Sequence, residues 1–209
     1  MMLVIGLTGS IGMGKTTAAK HFAERGIAVF DADAEVHRLY EAEAVPAIAA
    51  TFPSVVSGGK VDRALLAREL AASPGKLKQL EAIVHPMVVK AELDFLRQQE
   101  AKGAKFAVLE IPLLFETGAE KRVDASVVVS APKEVQRARV LARPGMCAEK
   151  FDQLLKCQLP DAEKRARADY VVDSGKSIAD MEAEIDRLLE SLGDKQGHVM
   201  ERLRRGDFN

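Results

Sequence analysis

Near its start the sequence carries a glycine-rich segment, residues 9–16, whose residue types are those of a phosphate-binding loop. It fits the pattern G-x-x-x-x-G-K-[ST], in which backbone N–H groups surround an anion, the lysine reaches the β- and γ-phosphates and the hydroxyl coordinates Mg²⁺. An apolar run precedes it and a helical pattern follows it, so a helix N-terminus adds its positive dipole end to the site. The segment therefore predicts binding of a nucleoside triphosphate. The residues expected at this site are Gly9, Ser10, Ile11, Gly12, Met13, Gly14, Lys15, Thr16 and Thr17, with Thr16 as the metal ligand.

Two aspartates, Asp31 and Asp33, follow the second apolar run of the chain, residues 27–30. A carboxylate in such a place accepts a proton from an attacking hydroxyl or holds Mg²⁺ through water. Aspartate is also a favoured N-cap residue for a following helix, and position alone does not separate the two interpretations. The nearby phosphate loop favours function for the pair.

Arginine and histidine side chains supply the next candidates. Arg139 and Arg143 are one helical turn apart and share a face. We interpret them as residues of a lid that closes on the nucleotide phosphates, the alternative being a solvated basic face. His85, beside Pro86, is on its own more typical of a helix cap or a core residue than of a catalyst.

A further acidic segment follows the third predicted strand. In Pro112-Leu113-Leu114-Phe115-Glu116 the apolar residues indicate packing, and Glu116 is either an exposed charge or a substrate contact. Glu110 lies near the end of the strand itself, where an acid that orients Mg²⁺ is often placed. A single acid is a weak signal of that role.

Length and composition limit the kind of protein that carries these residues. The chain has 209 residues, 47% of them hydrophobic, and a net charge of -1, which indicates a globular protein without a charge that would favour nucleic acid or a membrane. The two cysteines, Cys147 and Cys157, are not spaced as C-x-x-C, so free thiols in a reducing compartment are expected. With no basic and apolar leader and no run long enough to span a bilayer, we expect a cytoplasmic protein.

The elements that must position these residues alternate along the chain. Apolar and β-branched runs predict five strands, at 3–7, 27–30, 105–111, 124–130 and 169–173. Helical spacing fills most of the intervals, with an interruption expected at His85-Pro86 because proline disfavours helix at the residue before it. Such alternation predicts an α/β fold, a parallel sheet with helices on both faces and ligands at the carboxyl ends of its strands.

Taken in order, several short motifs resemble the dephospho-coenzyme A kinases over nearly the whole chain, from Leu3 to about Leu192. The phosphate loop is shared by a large superfamily, whereas the other motifs in this order and spacing are far more specific. They are Asp31-Ala32-Asp33, His85-Pro86, Pro112 to Glu116, Gln158, Glu163-Lys164, Ala168-Asp169 and Val172-Asp173. One difference is Asp173-Ser174, which stands where the family often has an Asp-Asn pair.

The resemblance implies a three-layer fold like that of the nucleoside monophosphate kinases, with a five-stranded parallel core, a helical substrate domain and a small lid. The implied domains are a nucleotide-binding core at 1–33 and 103–193, a helical CoA-binding domain at 34–102, a lid at 137–160 within the core, and a charged tail at 194–209.

The resemblance also implies the reaction, ATP-dependent phosphorylation of the ribose 3′-hydroxyl of dephospho-CoA, the last step of coenzyme A synthesis, with Mg²⁺. Asp33 is then the base, and Lys15, Arg139 and Arg143 complete the catalytic set. The substrate contacts are Asp31, Asp33, His85, Pro112, Leu113 and Glu116. The partners are dephospho-CoA and ATP, without nucleic acid or membrane, in a monomer or weak homo-oligomer.

Two other functions stay open at this point. The nearer one is another phosphate-loop kinase of the same fold that acts on a nucleoside monophosphate. The other is a nucleotide-dependent switch or binding module; the Asn-Lys-x-Asp guanine reader of GTPases is excluded, since Asn209 is the only asparagine.

Overall fold

The structure, a computed structural model, describes residues 1–207 and divides into two compact units. One unit consists of Met1–Phe30 and the described residues from Leu96 onwards, and the other is Asp31–Phe95. The domain limits inferred from the sequence stay predictions.

In the described part of the chain the strands are β1 (Leu3–Thr8), β2 (Ala28–Asp31), β3 (Val56–Ser57), β4 (Lys60–Val61), β5 (Phe106–Glu110), β6 (Ala125–Ser130) and β7 (Tyr170–Asp173). The helices are α1 (Lys15–Glu24), α2 (Ala32–Leu39), α3 (Val45–Thr51), α4 (Arg63–Ala72), α5 (Pro74–Ala101), α6 (Lys133–Leu141), α7 (Ala148–Lys156), α8 (Asp161–Arg167), α9 (Ile178–Leu192) and α10 (Val199–Arg205). Short 3₁₀ turns lie at Pro53–Val55 and Ala119–Arg122.

Five strands form one parallel sheet in the order β2-β5-β1-β6-β7, which confirms the predicted fold class. The central strand β1 pairs with β5 on one side and β6 on the other, with Ile5 opposite both Val108 and Ala125. Every residue of β1 and β6 is buried, as expected for a parallel sheet whose two faces are covered by helices. Parallel pairing brings the carboxyl ends of these strands to one edge, where ligands bind in such folds.

Helices α1 and α9 pack against the sheet through apolar faces. Phe22 of α1 and Met181 and Ile185 of α9 join the same buried cluster as Leu7 and Val127. Ser177 caps α9, because its hydroxyl accepts the N–H of Asp180 at 3.1 Å in a capping box. The apolar face of α1, the helix that follows the phosphate loop, is thus held against the sheet and α9.

The second unit has its own apolar core, in which Ile48, Phe52 and Val55 are fully buried. Its strands β3 and β4 form an antiparallel hairpin around Gly58 and Gly59, whose φ angles of 56° and 76° suit a two-residue turn. From the sequence alone we expect only a loop over residues 53–59, so this hairpin is a feature that the sequence does not predict.

The interruption predicted at His85-Pro86 is wrong, since α5 continues through Pro86. A proline removes one backbone hydrogen bond and disturbs one turn. Leu80 and Val84 before the proline are buried in the core of the second unit, and Met87 and Val88 after it pack against the same core, which holds the helix across that defect. Tertiary packing here outweighs the local preference.

The predicted tail contains α10, and its last two residues, 208 and 209, lie outside the described residues. Val199 and Met200 are buried, at 0% and 1% exposure. One carboxylate, that of Asp124, accepts the N–H groups of His198 at 2.6 Å and Val199 at 2.9 Å, and also that of Val4 at 2.9 Å. This contact ties the segment to β1. Among residues 1–207, no helix combines the length and apolar character needed to cross a membrane.

Candidate active site

The predicted phosphate loop links the carboxyl end of β1 to the N-terminus of α1. Gly12 and Gly14 have φ angles of 79° and 88°, a region that favours glycine. A Cβ atom on Gly12 would lie 2.4 Å from Cγ2 of Val140. The loop therefore needs glycine at this position for both backbone conformation and space.

Four N–H groups of the loop are available to a ligand. Among residues 1–207, no protein acceptor is found for the backbone N–H groups of Gly12, Gly14, Lys15 and Thr16, whereas Met13 donates its N–H to the Ser10 carbonyl at 3.1 Å. Unsatisfied donors at a helix N-terminus form an anion site, and the helix dipole adds to the attraction. The loop geometry can accordingly hold phosphate groups.

Lys15 forms an ion pair with Glu110, which lies at the end of β5, next to β1. The two side chains are only 16% and 7% exposed, so the pair is largely shielded from solvent. The sequence motifs indicate a separate role for each residue and do not predict this contact. A triphosphate would compete with Glu110 for the Lys15 ammonium group.

Oxygen ligands suited to Mg²⁺ are present at the same end of the sheet. The exposed Thr16 hydroxyl has no hydrogen-bond partner within the described residues, and Glu110 supplies a buried carboxylate. Hydroxyl and carboxylate oxygens are ligands that Mg²⁺ accepts, usually together with phosphate oxygens. The residues present fit the predicted metal; Thr17, also exposed, is next in the helix.

The two predicted lid arginines differ in their contacts. Arg139, on α6, donates to the Ser174 hydroxyl at 3.1 Å and to the Ser174 carbonyl at 2.7 Å. Its terminal nitrogen lies 3.7 Å from the position of a Cβ atom on Gly14, which places the guanidinium beside the phosphate loop. Arg143 is exposed just beyond the end of α6. Three of the five N–H donors of Arg139 remain for another acceptor.

The segment after β5 is fixed by a lysine to which sequence analysis gave no role. Lys164 of α8 has a fully buried side chain, and its Nζ atom lies 2.8 Å from Glu116 Oε1 and 3.2 Å from the Pro112 carbonyl oxygen. The Thr8 hydroxyl also donates to that carbonyl, at 3.0 Å. Leu113 stays 37% exposed. Glu116 is thus part of a buried ion pair in this structure, and its predicted substrate contact remains a prediction.

Asp31, Asp33 and His85 belong to the second unit. Asp31 caps α2, with its Oδ1 atom accepting the N–H of Ala34 at 3.0 Å. Asp33 is exposed in the first turn of α2 and has no ion pair or hydrogen bond to its side chain within residues 1–207. His85 is exposed on α5. The capping interpretation accounts for Asp31, and the carboxylate of Asp33 is open to a ligand.

A charged cluster fastens α1 to α9 behind the loop. His21, 6% exposed, lies with Nε2 3.0 Å from Asp186 Oδ1, and Arg25 donates to the other oxygen of that carboxylate. The hydrogen bond with His21, followed by that with Arg25, holds the pKa of Asp186 below its ordinary value. The sequence does not predict this contact, because no motif pairs residues that lie 165 positions apart.

Comparison with known proteins places this geometry in a family. The profile of the dephospho-CoA kinase family matches residues 3–180. A dephospho-CoA kinase of Rhodopseudomonas palustris is 57% identical over 190 residues, which cover 91% of this chain and 96% of the relative. One from Rhizobium etli is 54% identical over 207 residues, covering 99% and 98%.

Solved structures agree with this assignment. The Thermus thermophilus protein TT1252 superposes with a TM-score of 0.82 at 39% identity, over 91% of this chain and 98% of that chain. A dephospho-CoA kinase from Campylobacter jejuni gives 0.72 at 25% identity, over 92% and 98%. A shikimate kinase from Acinetobacter baumannii, at 0.52 and 22% identity over 93% and 96%, shares the fold alone. These similarities confirm the predicted kinase over the nucleoside monophosphate alternative, and the chain belongs to the dephospho-CoA kinase family.

Proposed function

We propose that this chain transfers the γ-phosphoryl group of ATP to the ribose 3′-hydroxyl of dephospho-CoA, giving coenzyme A and ADP. The observation that carries the proposal is the loop of Gly12 to Thr16, with its four open N–H donors, in a chain of this kinase family. In phosphoryl transfer most of the catalysis is positioning and electrostatic stabilisation, which is what such donors provide.

In the proposed mechanism the loop N–H groups bind the β- and γ-phosphates, and Lys15 exchanges its contact with Glu110 for a phosphate oxygen. Thr16 would hold Mg²⁺, with Glu110 as a further carboxylate for it. When bound, this ion neutralises phosphate charge. The support is the pairing of Lys15 with Glu110 and the unpartnered Thr16 hydroxyl.

Asp33 is the proposed base. The 3′-oxygen forms a bond to the γ-phosphorus while the bond between that phosphorus and the β,γ-bridging oxygen breaks, and the hydroxyl proton passes to the Asp33 carboxylate. The exposed carboxylate without a protein partner supports this role. Arg139 and Arg143 are the proposed lid cations, which neutralise charge that develops during transfer and exclude water on closure.

The experiment measures ADP release from Mg·ATP with dephospho-CoA, AMP, dCMP, pantothenate or no acceptor. We expect stimulation by dephospho-CoA with a 3′-phosphorylated product; stimulation by a nucleoside monophosphate instead would discard the proposed acceptor. Asp33→Asn should lower kcat roughly a hundredfold. Asp62→Asn, at the start of α4 in the same unit, is the matched control and should keep normal turnover. Near-normal kcat in Asp33→Asn would remove this residue from the role.

A cytoplasmic location and a monomeric or weakly associating chain complete the proposal. Cys147 and Cys157 are both exposed free thiols, which suits a reducing compartment. Size-exclusion chromatography with light scattering tests the state of association.

A further inference from the structure

Ile11 of the phosphate loop is held on both sides by glutamine side chains from distant parts of the chain, through its N–H in one peptide group and its carbonyl in the next. Ile11 donates its N–H to Gln158 Oε1 at 3.2 Å, and its carbonyl accepts from Gln136 Nε2 at 2.8 Å. Gln136 lies on α6 and is 5% exposed, and Gln158 follows the end of α7. Neither residue has a role in the mechanism above.

Hydrogen bonds to the loop carbonyls set the directions in which the loop N–H groups point. In a planar trans peptide the carbonyl and the next N–H point in opposite directions. Gln136 holds the Ile11 carbonyl and so directs the N–H of Gly12 away from itself. Ser174 does the same one step later, since its hydroxyl donates to the Met13 carbonyl at 2.6 Å and the Gly14 N–H points the other way. Gly12 and Gly14 supply two of the four open donors.

Gln158 is itself fixed by the ion pair behind the segment after β5. Its neighbour Leu159 donates a backbone N–H to Glu116 Oε1 at 2.8 Å, and the same oxygen pairs with the buried Lys164 at 2.8 Å. A continuous set of contacts therefore runs from the end of β5, through Gln158, to the tip of the loop. Gln158 reaches Ile11 from a firmly held backbone.

We infer that Gln158 is a positioning residue for the nucleotide: by holding the Ile11 N–H it keeps the loop in the conformation whose free N–H groups meet the phosphates. The inference rests on the proposed nucleotide site, and it assigns Gln158 no contact with the reacting atoms. Without this acceptor the peptide group between Ser10 and Ile11 can rotate, and the Ser10 carbonyl, which accepts the Met13 N–H at 3.1 Å, can turn toward the bound phosphates and repel them.

The test replaces Gln158 by methionine, which keeps side-chain length and removes the acceptor. Gln153→Met is the matched control, because Gln153 is exposed on α7. Isothermal titration with Mg·ATP and no acceptor should show Kd raised about tenfold in Gln158→Met, the equivalent of one lost hydrogen bond, and unchanged in the control. Thermal unfolding without nucleotide should be alike in both variants. Equal ATP affinity in the two variants would overturn the inference.

A second measurement needs no variant. Amide hydrogen exchange of the nucleotide-free chain should be slow at Ile11 and fast at Gly12 and Gly14, and ATP should slow the two glycines. An Ile11 amide that exchanges as fast as that of Gly12 would also overturn it. Turnover then separates this failure from that of the proposed function: KM for ATP should rise in Gln158→Met while KM for dephospho-CoA stays constant. A chain inactive toward dephospho-CoA would refute the proposed acceptor and leave the ATP titration informative.

Discussion

Replacing Lys164 by methionine is expected to lower the free energy of unfolding by about 3–5 kcal/mol, the usual loss when one partner of a buried ion pair is removed. The Lys164 side chain is 0% exposed and Glu116 is 15% exposed, with 2.8 Å between the charged atoms. After the change, the one donor left to Glu116 within the described residues is the N–H of Leu159. Its other oxygen, Oε2, is already buried without a hydrogen-bond partner among residues 1–207.

The loss should be electrostatic rather than steric, because methionine fills most of the volume of the lysine stem. The double variant Lys164→Met with Glu116→Gln removes both charges and should regain most of the stability, since neutral replacement of a buried pair is often nearly neutral. The matched surface control is Lys20→Met. Lys20 and Glu24 are 76% and 54% exposed at 3.4 Å, so their pair should contribute less than about 0.5 kcal/mol.

Urea unfolding followed by far-UV circular dichroism gives the four free energies, provided that the slope with urea is the same in each protein. A loss below about 1 kcal/mol in Lys164→Met would refute the reasoning, given the typical magnitude for such pairs. A double variant no more stable than the single one would also refute it, because the cause would then be packing rather than an uncompensated carboxylate.

Two further predictions concern the phosphate loop and the contact of the following helix, α1, with Asp186. Gly12→Ala should raise Kd for ATP at least tenfold by calorimetry, about the loss of one hydrogen bond, since its φ of 79° and the 2.4 Å approach to a neighbouring side chain force the loop to move. The control is Gly26→Ala, because Gly26 has a similar φ of 75° and no atom lies within 4 Å of an added Cβ. This variant should lose only about 1–2 kcal/mol of stability. Equal ATP affinity in the two variants would contradict the argument. The pKa of Asp186 is lowered from 3.8, first by the hydrogen bond with His21, so its stabilisation is present above pH 3.8 and is lost as pH falls further. Acid unfolding of Asp186→Asn should therefore show a weaker dependence on pH below 3.8, and parallel profiles would disprove this role.

The sheet could be predicted from sequence because its signals are local. The run Val127-Val128-Val129 and the apolar residues of β1 are continuous, as in strands covered on both faces, and the loop motif fixes the first strand–helix unit. The expected break at Pro86 was wrong for the opposite reason. The local preference of the proline against helix competes with the burial of Leu80 and Val84. The residues that bury these side chains lie far away in the sequence, so a short stretch of sequence does not show them.

The support of the site could not be predicted, because each contact joins residues that are far apart in sequence. The Ser174 hydroxyl reaches Met13 across 161 positions, and Lys15 reaches Glu110 across 95. Gln158 and Lys164 were among the residues that carry the family resemblance, but a motif gives residue types and not partners. Only the fold shows that Lys164 is a buried cation and that Arg139 already donates to Ser174.

The phosphate-loop motif specifies a chain that can bind an anion, and the rest of this fold specifies which backbone groups do so. Each peptide group carries a donor and an acceptor, so a loop that turns N–H groups toward a phosphate must turn its carbonyl oxygens elsewhere. In this chain those oxygens are bound from outside, at Ile11 by Gln136 and at Met13 by Ser174. Gln136 follows β6, which pairs with β1, and Ser174 follows β7, which pairs with β6, so the sheet order on this side of β1 also orients the loop. Donor direction at the active site is therefore a property of the whole nucleotide-binding unit, and substitutions far from the motif should alter ATP affinity without changing any residue of the motif itself.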